Sequence, residues 1–507
     1  MKNSMLEQNS PYISDVTFVN YKAFTGKVSV NFKGAPGVYL IIGNNAVGKT
    51  AILDGIAKCL SWITKRIEHE GGSGFLISES AINKLDNPNV TALFRTSLGK
   101  SRNSEFEIVL ATTEKGALKR QKNEVLCTEE IARNLRSTLN SSNNEELPLW
   151  TYYDVERNTS IRNSLKNLKV SRVSAYENSL ENKRLNWYSL IQWLEFVFDL
   201  EAHSNNLSSV ELDLYEKLSG VNFENIETEI NSLEETNEEN MFEQLNIVQN
   251  LVPNLKNILD IVNKIENIEK TNKVKETINL KSKEVFLNCI KSFLNNITNI
   301  SMEIVNSKKI ILVTKDDGSK FDLNELSQGE KSILIILGDL VRRMSLLNPK
   351  MDNPLETKAV VIIDEIDLHF HPRWQTEIIS KLESSFPNTQ FILTTHSPFV
   401  ISSVNKDNIS IIQRDEDNRL EVSTPQFQSR GSSFEYNLEN LQYVLGNPLN
   451  IKEYQNFKEF LDLISMDQEE SEIGQNLRES IINHFGENHP YWFQIKQKLF
   501  LKKMKNR

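Results

Sequence analysis

The chain has 507 residues, 25% of them charged and 39% hydrophobic, with a formal net charge of −10. That length exceeds one ordinary domain, the composition is globular rather than disordered, and the acidic balance argues against a protein that coats nucleic acid over its whole surface. The stretch Met1 to Ser10 is polar, no apolar run is long enough to cross a membrane, and Cys59, Cys127 and Cys289 show no C-x-x-C spacing, so the expectation is a cytoplasmic protein without membrane span, signal peptide, disulfide framework or zinc site.

The first strong signal is the apolar strand Val38-Tyr39-Leu40-Ile41-Ile42, which runs into Gly43-Asn44-Asn45-Ala46-Val47-Gly48-Lys49-Thr50 and then the helical pattern Ala51-Ile52-Leu53-Asp54-Gly55-Ile56. Strand, loop and helix at G-x-x-x-x-G-K-T spacing form a phosphate-binding loop: glycines permit close backbone approach and successive N–H groups from Asn44 to Thr50 cradle phosphates at a helix N-terminus. Lys49 is placed to neutralise the β and γ oxygens, and Thr50 to ligate Mg²⁺. Next, Val90-Thr91-Ala92-Leu93-Phe94 and Phe106-Glu107-Ile108-Val109-Leu110 read as strands of an antiparallel layer.

After Tyr176 the texture becomes helical. Trp187, Leu190, Leu194, Val197 and Phe198 recur at helical spacing and read as core residues rather than a base-stacking platform. Two seams follow, Leu251, Leu255, Ile258, Val262, Ile265 and then Phe286, Ile290, Phe293, Ile297, Ile300, Ile304, separated by the polar Lys270-Thr271-Asn272-Lys273 turn. They predict two packed helices in a compact insertion, each too short for a long coiled-coil arm, with Pro253 in a helix's first turn.

Three further segments bear on the same chemistry. Leu326-Ser327-Gln328-Gly329-Glu330-Lys331 precedes the apolar helix Ile333 to Leu337, and it reads either as a capping box with Ser327 as N-cap and Glu330 three residues on, or as an anion-binding helix start. Ala359-Val360-Val361-Ile362-Ile363-Asp364-Glu365 is a buried parallel strand ending in two carboxylates, Asp364 suited to Mg²⁺ and Glu365 to deprotonating a water. Gln390 to Thr394 is another strand, with His396 in the turn beyond it, where a neutral imidazole can bond a γ-phosphate or simply support the turn. Asp367, His369 and His371 are read as a structural or inter-subunit loop in preference to a metal site. Arg414-Asp415-Glu416-Asp417-Asn418 reads as a hairpin turn, and the stretch from Lys496 to Arg507 as a terminal helix with basic and apolar residues interleaved.

The order GNNAVGKT, LSQGEK, VVIIDEID, TTHSP resembles the ABC-type ATPases of the non-transporter branch that contains RecF-like, OLD-like and structural-maintenance proteins. Phe18-Val19-Asn20-Tyr21-Lys22-Ala23-Phe24 resembles the first strand of RecF-like heads. The run Asp364 to Pro372 and the stretch Trp150 to Asn158 are similar to the OLD-like and PtuA-type ATPases of Septu and retron-associated anti-phage systems. The resemblance implies ATP and Mg²⁺ as cofactors, Thr50 and Asp364 at the metal, Glu365 as general base and His396 as switch histidine. It also implies self-association, with Ser327 and Gly329 of one subunit meeting the γ-phosphate held by Lys49 of another. No residue is assigned to the family's magnesium-contacting glutamine.

The expected fold is α/β: an ABC-type ATPase head, a mixed sheet with P-loop core and antiparallel layer, plus a compact helical insertion and C-terminal helices. Residues 1–175 form the N-terminal part of the head, 176–306 the helical insertion, 307–425 the C-terminal part of the head and 426–507 a helical partner-docking region. The resemblance implies a regulatory or sensor ATPase controlling an HNH endonuclease subunit of PtuB type, with a retron reverse transcriptase and its DNA as further partners. The alternative is a RecF-like repair or recombination ATPase that clamps DNA directly.

Overall fold

The structure is a computed structural model. It describes residues 11–83, 91–101, 104–115, 121–140, 145–155, 171–181, 187–198, 282–305, 308–415, 417, 419–433, 436–437, 441, 452–486 and 489–505. The chain divides into two compact units, Met1–Arg430 and Gly431–Arg507.

The first unit is a mixed α/β fold built on three sheets. The antiparallel layer comprises β1 (Ile13–Val19), β2 (Lys27–Asn31), β4 (Thr91–Ser101) and β5 (Ser104–Thr113) in the order β2-β1-β4-β5. The central sheet holds β3 (Gly37–Gly43), β6 (Leu149–Tyr153), β10 (Ala359–Ile363), β11 (Thr389–Thr394), β12 (Ile409–Arg414) and β13 (Leu420–Ser423), ordered β13-β12-β3-β11-β10-β6. Five of these strands are parallel and β13 closes one edge as the antiparallel half of a hairpin with β12. Strands β6, β10 and β11 are buried along their whole length, as strands covered on both faces must be, and that explains their unbroken apolar runs. The Asp415 side chain closes the β12–β13 turn by accepting from the Arg419 N–H at 2.7 Å, so the acidic pair there is turn chemistry.

Helix α1 (Lys49–Glu68) follows β3 and lies against α2 (Leu126–Asn140). Beyond it, α3 (187–198) buries Trp187, Leu190, Leu194, Val197 and Phe198, as expected of core residues. Helix α4 (Ser282–Phe293) follows, with Trp193 and Phe286 meeting edge to face at 6.0 Å. The expected helical seam from Phe286 to Ile304 needs correction. Helix α4 stops at Phe293, and Ile297 opens a strand of the third sheet, β7 (Ile297–Val305), β8 (Lys308–Lys315) and β9 (Lys320–Asp322). The cause is local: Leu294-Asn295-Asn296 interrupts the helix and a β-branched segment follows. A register shift between Ile297 and Asn299 then resets the pleat, so Ile297 and Ile300 are both buried at a spacing that imitates a helix. The seam from Leu251 to Ile265, with Pro253, lies outside the described residues.

Helix α5 (Gln328–Leu347) is buried at every residue from Ser332 to Leu347. A helix so enclosed can carry charge only if the charge is paired. Asp339 Oδ1 accepts from Arg342 Nε and Nη2 at 3.0 and 2.6 Å, and Oδ2 accepts from Arg343 Nε at 2.6 Å and the Tyr153 hydroxyl at 3.1 Å. Arg343 Nη1 also donates to the Ala175 and Glu177 carbonyls at 2.6 and 3.1 Å. Burial by itself would raise the Asp339 carboxyl, but the Arg343 and Arg342 guanidiniums outweigh it and bring it down to about 2. Helix α6 (Pro372–Ser385), the single turn Pro398–Ile401 and the 3-10 turn Lys406–Asn408 follow β10 in this unit.

The second unit packs α7 (Lys452–Ser465), α8 (Glu472–Phe485) and α9 (Pro490–Lys505) around Phe457, Phe460, Ile464, Ile481, Trp492 and Ile495. Its turn after α7 is tied to α9 by Lys502, which bonds Asp467 at 2.7 Å and Glu469 at 2.6 Å. Phe493, Phe500, Leu501 and Met504 of α9 are exposed. Among the described residues no helix is long and apolar enough to cross a membrane.

Removing the Asp339 carboxylate strands two buried guanidiniums. Asp339→Ala is expected to lower unfolding free energy by about 3–5 kcal/mol in urea denaturation, whereas a loss below about 1 kcal/mol would show that the cluster is solvated.

Candidate functional site

The central sheet brings the carboxyl ends of β3, β10 and β11 side by side, because β11 pairs in parallel with both β3 and β10. Ligands of open parallel sheets sit at such ends. Beyond β3 the chain turns through Asn44, Asn45 and Ala46, all exposed, and through buried Val47 to Gly48, the N-cap of α1. Gly48 has φ 99°, a left-handed value that favours glycine, and a Cβ there would lie 2.9 Å from the Phe24 ring. Lys49 begins the helix with its ammonium folded back onto the Gly43 and Asn44 carbonyls at 2.9 and 3.0 Å. Burial lowers its pKa, against the pull of the Asp364 and Glu365 carboxylates. A buried ammonium capped by neutral carbonyls at a helix N-terminus is a cradle suited to an anion.

Asp364 follows β10 directly and is buried. Its Oδ2 accepts from the Thr50 hydroxyl at 2.7 Å and its Oδ1 accepts from the Thr394 hydroxyl. The Thr394 oxygen in turn accepts from the Glu365 N–H at 2.7 Å, while the Asp364 N–H donates to the Tyr153 carbonyl at 2.9 Å. Glu365 is held at φ 48°, a strained left-handed value for a residue with a side chain, and it is only half-buried. One hydroxyl and one carboxylate, Thr50 and Asp364, suit Mg²⁺, which keeps several waters and takes phosphate oxygens for the rest.

His396 stands two residues past Thr394 and is half-buried. Burial and then the Lys49 ammonium push its imidazole below the ordinary histidine value, against the pull of Asp367, Glu365 and Asp364, and so favour the neutral form. Asp367 is engaged at 2.5 Å by the Thr395 hydroxyl, and His371 caps α6 by accepting from the Arg373 N–H at 3.3 Å. Among the described residues no group of three His, Cys, Asp or Glu side chains is placed to hold a metal ion.

The segment Leu326 to Lys331 forms the capping box its spacing predicts. Glu330 Oε2 accepts from the Ser327 N–H and hydroxyl at 3.0 and 2.8 Å, and the Glu330 N–H returns to Ser327 Oγ at 3.3 Å. Glu330 Oε1 is further held by Asn296 and Lys315, both at 3.0 Å. Gly329 is fixed by close approach, since a Cβ would stand 2.6 Å from the His369 carbonyl oxygen and 2.9 Å from the Trp374 ring. Ser327 therefore bonds to its own helix and buried Gly329 packs beside His369, whereas Lys49, Thr50, Asp364, Glu365 and His396 lie at the ends of β3, β10 and β11.

A family model described as "AAA domain, putative AbiEii toxin, Type IV TA system" matches residues 38–402. The chain belongs to this AAA-domain family. The match runs from β3 through the turn Pro398–Ile401, so it takes in every strand end that frames the site. Among relatives, the "Retron Ec83 probable ATPase" of Escherichia coli is 29% identical over 95% of this chain and 85% of its own length. The "Retron Vc95 probable ATPase" of Vibrio cholerae serotype O1 biovar El Tor is 28% identical over 82% of this chain and 75% of its own. The "Septu protein PtuA" of Bacillus mycoides (strain KBAB4) is 31% identical over 24% of this chain and 16% of its own length. The relation to retron and Septu ATPases is thus shown, and the retron proteins are matched over far more of the AAA-domain chain than PtuA.

Sequence reasoning missed Thr394, the hydroxyl that orders both Asp364 and Glu365. Its only sequence signal is a hydroxyl residue at the end of an otherwise apolar strand. For His396, a depressed pKa means that the unfolded chain binds more protons near and below the ordinary value. Stability is present above about pH 6.5 and lost as pH falls through the lowered value. Wild type is therefore expected to lose more unfolding free energy than His396→Gln between about pH 7.5 and about pH 5.5, and equal losses in urea titrations would contradict this placement of the imidazole.

Proposed function

We propose that the protein is a Mg²⁺-dependent ATPase, serving as the ATP-operated regulatory or sensor subunit of a bacterial anti-phage defence complex. The observation that carries the ATPase part is the convergence of Lys49, Thr50, Asp364, Glu365 and His396 at three adjacent strand ends. The backbone from Asn44 to Thr50 cradles the phosphates and Lys49 exchanges its carbonyl partners for β and γ oxygens. Thr50 and Asp364 would hold Mg²⁺, whose charge neutralises the phosphates. Glu365 takes the proton of an attacking water, its backbone fixed by Thr394, and neutral His396 hydrogen-bonds the γ-phosphate.

Ser327 and Gly329 act in trans: a second copy offers its α5 N-terminus to the γ-phosphate, so that ATP draws two heads together and hydrolysis releases them. The bonds of Ser327 to its own helix support this, since they leave the helix start preorganised as a docking surface. The defence role is supported by the retron and Septu relatives. The output we propose is control of an HNH-type nuclease subunit docked on the C-terminal unit, whose α9 exposes Phe493, Phe500 and Met504.

Glu365→Gln is expected to bind ATP like wild type while its hydrolysis falls by about 10²–10⁴-fold, and Lys49→Ala to lose binding; hydrolysis within about threefold of wild type in either variant would reject the assignment.

A further inference from the structure

Asp54 takes no part in the chemistry above, yet it is a buried carboxylate one helical turn beyond Thr50. Its Oδ2 accepts from three donors, the Tyr21 hydroxyl at 2.9 Å, Lys22 Nζ at 2.7 Å and Lys58 Nζ at 2.7 Å. Burial would raise its pKa, but the hydrogen bonds and charges of Lys22 and Lys58 prevail and hold the carboxyl below its ordinary value. Two of the three donors come from the loop between β1 and β2. Lys58 comes from Asp54's own helix.

That loop is strained. Asn20 and Lys22 both sit at φ 49°, in the left-handed region that residues with side chains avoid. Its far side is fastened by the Lys22 N–H to the Ala81 carbonyl at 2.7 Å, and by Asn83, which donates its N–H to Asn20 O and its side-chain amide to Lys22 O, both at 2.9 Å. Its tip bears on the phosphate loop. The Phe24 ring, stacked on Phe18 at 5.2 Å, and the Ala23 methyl would stand 2.9 and 3.4 Å from a Cβ at Gly48. The loop is therefore a wall against the residue that immediately precedes Lys49.

We infer that Asp54 is a positioning residue: by gripping Tyr21 and Lys22 it holds the strained loop against Gly48, and so preorganises the phosphate cradle for nucleoside triphosphate without setting the rate of the chemical step. The inference rests on the ATP reading given above. Preorganisation raises affinity because a cradle already in its bound shape loses less freedom when the ligand arrives. Simple electrostatics predicts the opposite sign for Asp54. Deleting a negative charge near the cradle should tighten anion binding, whereas loosening the wall should weaken it.

The test is titration of the full-length protein with a fluorescent ATP analogue in Mg²⁺, together with single-turnover hydrolysis at saturating ATP, for wild type, Asp54→Asn, Tyr21→Phe, Lys22→Met and Lys58→Met. Asp54→Asn is expected to raise Kd about tenfold and Tyr21→Phe and Lys22→Met about threefold or more, with Lys58→Met within about twofold of wild type and every saturating rate within about threefold. Unchanged or tighter binding by Asp54→Asn overturns the inference, as does equal weakening by Lys58→Met and Lys22→Met, or a rate loss without a Kd change. Thermal unfolding of each variant identifies misfolded protein; should Asp54→Asn not fold, the contrast between Lys22→Met and Lys58→Met decides. Failure of wild type to bind the analogue would instead overturn the ATP reading itself.

Discussion

The hydrogen bonds that radiate from Asp364 organise the carboxyl ends of the central strands. Thr50 brings the first turn of α1 to β10, Thr394 brings β11 to the same carboxylate, and the Thr394 oxygen also fixes the backbone of Glu365. A buried carboxylate must satisfy its oxygens, so the three strand ends are locked in register by the cost of leaving any one of these groups unpaired. Glu365, with its left-handed φ of 48°, has its N–H held by the same arrangement. The parallel strands β10 and β11 behind it are apolar and buried along their whole length.

A second network connects this centre to α5. Tyr153 receives the Asp364 N–H with its carbonyl and donates its hydroxyl to Asp339, deep in the helix whose N-terminus is Ser327. Tyr153 thus links the backbone at the end of β10 to the middle of α5. Displacing α5 along its axis would disturb the Tyr153 hydroxyl bond and the bonds of Arg343 to the Ala175 and Glu177 carbonyls.

Much of this was legible in contiguous runs. The strand before Gly43, the loop to Thr50 and the apolar run into Asp364 are each one continuous segment, so local pattern carried these elements. The capping box at Ser327 and Glu330 was equally local, as was the hairpin at Asp415. Partnerships across sequence distance were hidden. Thr394 looked like any strand threonine, because nothing in the sequence says which way its hydroxyl points. Asp54 looked like one polar position in a helix, and its grip on Tyr21 and Lys22 lies more than thirty residues back, at separations of 33 and 32. The Ile297 to Ile304 segment misled for a physical reason: a bulge restores burial after an odd step, and an alternating pattern with one such slip has the spacing of a helix.

The proposed nucleotide site is one that two copies complete together. The most direct test is the solution mass of Glu365→Gln, by sedimentation equilibrium with and without saturating Mg-ATP, beside Lys49→Ala under the same conditions. The account predicts that Mg-ATP doubles the mass of Glu365→Gln, or doubles that of any larger assembly it starts from, and leaves Lys49→Ala unchanged. Glu365→Gln saturated with nucleotide at unchanged mass would contradict it.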